Sequence, residues 1–110
     1  MSEAQEQQVV VEWCEWNKVP VFHIPNGGSR NKAEAANLKR QGVRAGVPDL
    51  CIPLARGQYH GLYIEMKSKH GRLSANQLDW LVRLSENGYM AEVCYGASEA
   101  IACISYYLQL

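Results

Sequence analysis

A mixed α/β sandwich, one sheet flanked by helices, is the fold class that the sequence predicts. Three observations carry it. "PDLCIPL" and "GLYIEMK" are apolar, β-branched runs on either side of "ARGQYH"; "LSANQLDWLVRLSENG" is a helix with both of its ends written in; and helical apolar spacing opens and closes the chain. The predicted order is α β (α) β β α β α, without repeats or a linker.

From Ser2 to Trp16, Val9, Val10, Trp13 and Trp16 recur at helical spacing, Glu3, Glu6, Glu12 and Glu15 lie elsewhere round the helix, and Ser2 caps its start. "VPVFHIP" (Val19 to Pro25) reads as a strand closed by "NGGS", a turn whose Asn26, Gly27 and Gly28 also suit backbone approach to a phosphate. "NKAEAANLKRQ" has good helix formers but a thin apolar face, so a short exposed helix or a loop is expected. The two central runs pair as an antiparallel hairpin. In the next helix Ser74 and Gln77 form a capping box, Leu78, Leu81, Val82 and Ser85 make the stripe, and Gly88 closes it in the left-handed conformation. "YMAEVCYG" is a last strand, and Ser98 opens a final helix that is apolar nearly all round, which points to a dimer contact.

A chain of 110 residues holds one core, so residues 1–110 are expected to form a single domain. No run approaches the roughly 18 apolar residues that cross a bilayer, and the acidic start "MSEAQEQQ" is unlike a signal peptide, so a cytoplasmic, intracellular protein without a membrane partner is expected. Cys14, Cys51, Cys94 and Cys103 stand apart among apolar neighbours and read as reduced core thiols. The net charge is zero, but residues 18–72 hold ten of the eleven Lys and Arg against three acids, a local balance of +7. Such polarity lets a neutral chain present a basic face to a polyanion.

Charge within the apolar hairpin is the main chemical clue. A hairpin symmetric about Gly57 places Asp49 opposite Glu65, with Lys67 two residues along on the same face. Opposed residues have Cβ atoms about 5 Å apart, so two carboxylates there repel unless a divalent cation bridges them. Hard oxygen donors suit Mg²⁺ or Mn²⁺. Lys67 is placed to orient a water and steady charge developing on a phosphate.

"HIPNGGSR", "LKRQGVRAGVPDL", "YIEMK" and "GRLSANQLDWLVRLSENGY", in that order, resemble the VRR-Nuc domain of the PD-(D/E)XK nucleases, in its small stand-alone virus-type form. The resemblance implies a restriction-endonuclease-like αβββαβ core and a metal-dependent endodeoxyribonuclease, encoded by a virus of a bacterial host. It further implies a homodimeric Holliday junction resolvase acting on four-way DNA. Asp49 and Glu65 match the metal-binding carboxylates, Lys67 the catalytic lysine, and the carbonyl of Met66 a further ligand. A glutamate on the first helix is implied near the metal; Glu6 is the choice and Glu3 the fallback. Gln77 matches a glutamine close to the site, though the capping box also explains it. The family's Val-Arg-Arg reads here as Val43-Arg44-Ala45, one arginine short.

Arg30, Lys32, Lys39, Arg40 and Arg44 are the candidate DNA contacts, because they cluster on a segment too polar for the core. Arg56, Lys69 and Arg72 are secondary. His23 is expected as a core or rim residue, and Trp13, Trp16 and Trp80 as core or interface packing. The alternatives to a resolvase are the same chemistry on flaps or plain duplex, and a non-catalytic DNA-binding protein.

Overall fold

The structure, a computed structural model, describes residues 1–26 and 31–110. Helix α1 (Glu3–Trp16) starts at Ser2, whose side chain accepts the N–H of Gln5 while Gln5 answers the cap's own N–H. It buries Val10 and Cys14 and leaves Trp16 88% exposed, so the predicted stripe stops at Trp13. The expected strand Val19–Pro25 shrinks to β1 (Phe22–His23). Pro20 and Pro25 lack the N–H that a longer ladder needs. Residues 32–40 form the helix α2 (Lys32–Arg40), capped by Asn31 and with no buried residue.

Strands β2 (Leu50–Ile52) and β3 (Leu62–Lys67) are antiparallel, with Leu50 facing Ile64 and Ile52 facing Leu62. That is the register that the sequence predicts, and one residue further it sets Asp49 opposite Glu65. The hairpin tip does not follow it: Arg56 bridges Tyr59, one residue out of step. Helix α3 (Ala75–Glu86) crosses over to β4 (Met90–Tyr95), which is parallel to β3, and α4 (Ala97–Leu108) follows. The sheet order is β1-β2-β3-β4.

Alternation along β3 divides the molecule. Leu62, Ile64 and Met66 are buried with Val10 and Cys14 of α1 and Ala100, Ile104 and Tyr107 of α4. Tyr63, Glu65 and Lys67 point to the other face, which α3 approaches. Most of the apolar surface of α4 is thus absorbed by the sheet and α1, leaving Tyr106 and Leu110 exposed. Helix α1 supplies a wall that the sequence did not reveal, and Tyr106 marks the side of α4 that the single chain does not cover.

Two further details depart from the sequence reading. Leu81 of α3 is buried, whereas Leu78 and Val82 are 53% and 48% exposed. The helix is rotated because Gln77 is turned toward Glu65. Ser98 does not open α4; Gly96 precedes it with φ 92 and no side-chain cap of its own.

Gly46, at φ +91, lies against α3: a Cβ there would stand 2.6 Å from the carbonyl carbon of Asn76 and 2.7 Å from its oxygen. This contact brings the segment leading into Asp49 up to the start of α3. Gly46→Ala is expected to cost roughly 2–4 kcal/mol in urea unfolding, combining backbone strain with a clash that only a main-chain shift relieves.

Candidate active site

Asp49 enters the site directly before β2, behind the buried Pro48. Its Oδ2 accepts the N–H of Met66 at 2.8 Å. A strand residue's N–H and C=O point to the same side, so the Met66 carbonyl is also directed to the edge where Asp49 sits. Glu65 is 3% exposed and Lys67 9%. The Lys67 Nζ lies 3.8 Å from Glu65 Oε2, and Gln77 Nε2 donates to the same oxygen at 3.1 Å. Gln77 Oε1 meanwhile accepts the N–H of Ser74 at 2.9 Å. One side chain therefore closes the capping box and reaches the acidic pair.

Burial, then the charge of Asp49, pushes the Glu65 carboxyl up to about 8, against the pull of Lys67. Burial also raises Asp49, although its hydrogen bonds to Met66 and Glu65 pull it down. Both shifts favour a proton held at the pair, because two carboxylates this close resist ionising together.

Helix α1 brings two carboxylates to this end of the sheet. Glu3 acts on the pair, since its charge pushes both Asp49 and Glu65 further up, and its Oε2 accepts the N–H of Ser68 at 3.3 Å. Glu6 is turned to α4, where its Oε2 accepts the N–H of Ala97 at 2.5 Å. It supplies the cap that Gly96 lacks. Glu6 and Lys67 line a common cleft of about 320 Å³ with Ser68 and Lys69.

Sequence reasoning read His23 only as a core or rim residue, without a part in the site. Its Nδ1 lies 2.8 Å from the carbonyl oxygen of Asp49 and 3.1 Å from the side-chain nitrogen of Gln7. The N–H of Ile24 donates to the same carbonyl at 2.8 Å, and the Asn26 amide donates to the carbonyl of Val47. The only available signal was that "HIPN" opens one of the four matching stretches.

Residues 1–98 match the VRR-NUC domain family. The chain belongs to that family. A solved structure described as a "VRR_NUC domain protein" is 36% identical, with a TM-score of 0.88 over all of this chain and 90% of the other. A second, described as a "VRR_NUC domain", shares the fold at 22% identity and a TM-score of 0.66, covering 96% of each chain. No curated protein sequence matches the chain. This VRR-NUC domain thus has the PD-(D/E)XK-like fold and is of the nuclease type, with DNA the implied substrate.

Nucleases of this fold generally use divalent cations, and the donor chemistry here fits one. Among the described residues no group of three His, Cys, Asp or Glu side chains forms a cage. Two carboxylates and a main-chain carbonyl are a sparse, hard set, suited to a cation such as Mg²⁺ that keeps several waters. A nearly buried Glu65 against a second carboxylate is also costly without positive charge between them.

Of the candidate DNA contacts, Lys32, Lys39 and Arg40 are exposed on α2. Arg44 is exposed too, but its guanidinium donates to the carbonyls of Lys39 at 2.8 Å and Val43 at 3.2 Å, bracing the end of α2. Arg30, Gly27 and Gly28 lie outside the described residues. Cys14, Cys51 and Cys94 are buried and Cys103 half-buried, and all are free thiols. Among the described residues no helix is long and apolar enough to cross a membrane.

Proposed function

We propose that this domain is a Mg²⁺- or Mn²⁺-dependent endodeoxyribonuclease that cuts four-way DNA junctions as a homodimer. The observation that carries the nuclease chemistry is the constellation of Asp49, Glu65 and Lys67 on one sheet face, with Gln77 donating to Glu65. Asp49, Glu65 and the Met66 carbonyl would hold the cation. Glu3 is the helix-borne carboxylate that acts at the pair, and Glu6, one turn on, holds the start of α4 and flanks Lys67. When bound, the cation polarises the scissile phosphate and lowers the pKa of a bound water.

The side chains do the positioning. Lys67 orients the attacking water and balances charge on the phosphate, and Gln77 fixes the carboxylate of Glu65. Lys32, Lys39 and Arg40, with Arg30 and Arg44, grip the phosphate backbone without reading sequence. The junction preference rests on the resemblance to virus-type members, and the dimer on the same likeness. Leu78 and Val82 on the outer face of α3, and Tyr106 with Leu110, are apolar surface that a second copy would cover.

End-labelled four-way junction, flap and linear duplex, each with and without Mg²⁺ or Mn²⁺, test this with Lys67→Ala in parallel. Paired symmetric cuts in the junction alone, lost without the cation and in the variant, are expected. Cleavage of flaps or duplex instead would discard the resolvase and keep the nuclease. Metal-independent binding without any cleavage would make this a DNA-binding protein.

A further inference from the structure

Resting on that reading, we propose that His23, backed by Gln7, is a positioning residue that sets the peptide plane of Asp49 and thereby aims its carboxylate at the cation. A carbonyl oxygen only accepts, so the ring nitrogen 2.8 Å from the Asp49 oxygen must carry a proton. That fixes the ring with its proton on Nδ1. The Gln7 nitrogen 3.1 Å from Nδ1 would then set donor against donor. Exchanging the nitrogen and oxygen of the Gln7 amide, which have nearly the same shape, resolves the conflict: Oε1 accepts from Nδ1–H alongside the Asp49 carbonyl.

The Asp49 carbonyl therefore receives two donors from one segment, Ile24 N–H and His23 Nδ1–H. Two residues earlier, the Asn26 amide donates to Val47. "HIPN" thus grips the chain on the approach to Asp49 at two carbonyls, from the side opposite the carboxylate. The grip matters because β2 itself begins only at Leu50. Asp49 lies beyond the ladder, where its main chain would otherwise swing, and Oδ2 must hold its 2.8 Å bond to Met66 N–H while leaving Oδ1 for a ligand. The clamp also ties this end of the sheet to α1, which carries Gln7 and the two glutamates.

Three variants separate the clamp from simple packing. His23→Phe keeps a ring without a donor; His23→Asn places an amide N–H close to the position of Nδ1; Gln7→Ala removes the second support. Mn²⁺ affinity is read by the paramagnetic signal of the free ion, and kcat and KM are read on cleaved DNA. His23→Phe is expected to weaken Mn²⁺ binding about tenfold, as the loss of one well-placed hydrogen bond does, and to lower kcat with KM unchanged. His23→Asn should restore most of both, and Gln7→Ala should fall between. Wild-type affinity in a folded His23→Phe, or no rescue by His23→Asn, would overturn the proposal. The ring's ¹⁵N spectrum judges the clamp independently of any metal: a proton on Nδ1 supports it and a proton on Nε2 alone overturns it. If the wild type binds no Mn²⁺, the nuclease reading fails and that spectrum still decides the clamp.

Discussion

Asp49→Asn is expected to lower metal-dependent cleavage at least about a thousandfold while making the metal-free protein more stable. Both effects come from the same charge. An amide oxygen still accepts the Met66 N–H, so the local geometry survives, but the anionic donor that a hard cation needs is gone. In the metal-free protein the Asp49 charge lies against the buried Glu65, and burial has already raised both groups. Removing one charge relieves repulsion worth about 1–2 kcal/mol at pH 8. Cleavage assays and urea unfolding of the two proteins in chelator measure the two halves. Cleavage within tenfold of wild type would remove Asp49 from the cation site. A net loss of stability would mean that the Asp49 carboxylate is worth more as an acceptor than it costs as a charge. Affinity for junction DNA in chelator should be unchanged, because the proposed phosphate contacts lie on α2 and not at Asp49.

How much of this was legible in the sequence follows from the range of the forces involved. Local signals were read correctly: the cap at Ser2, the capping box at Ser74 and the left-handed Gly88 each depend on neighbours within a few residues. So was the hairpin register, because strand alternation allows few ways to set "LCI" against "LYI" with both buried. The fold class followed from the same patterns. What sequence reasoning missed is tertiary. Glu6 caps a helix 91 positions away, and a cap supplied from that distance leaves no local mark. The rotation of α3 is set by Gln77 meeting Glu65, against a stripe that favoured Leu78 and Val82. His23 was read as bland because an imidazole in an apolar run carries no sign that a main-chain carbonyl is its partner. The acidic pair was legible for the opposite reason: charge in a buried strand is conspicuous in any sequence.

Stability should fall as pH rises in the metal-free protein, and divalent cations should reverse the trend. Glu65 moves from an ordinary value of 4.5 to about 8 on folding, because burial and the Asp49 charge both favour its protonated form. A carboxyl raised in the folded state binds its proton more tightly there than in the unfolded chain. Its contribution is therefore complete below about pH 4.5 and is lost progressively up to about pH 8. Asp49, raised in the same direction, adds to the slope. Between pH 5 and pH 8 the loss is on the order of 2–4 kcal/mol, measured by urea unfolding in chelator. A cation competes with the shared proton for the same oxygens, so its stabilising effect grows as that proton is lost. Saturating Mg²⁺ or Mn²⁺ should raise Tm more at pH 8 than at pH 5.5, and Asp49→Asn should flatten both the metal-free slope and the response to the cation. A metal-free stability that climbs from pH 5 to pH 8 would mean that Glu65 is already ionised in the folded protein, with Lys67 and Gln77 enough to hold its charge. A cation response equal at the two pH values would place the ion away from this pair.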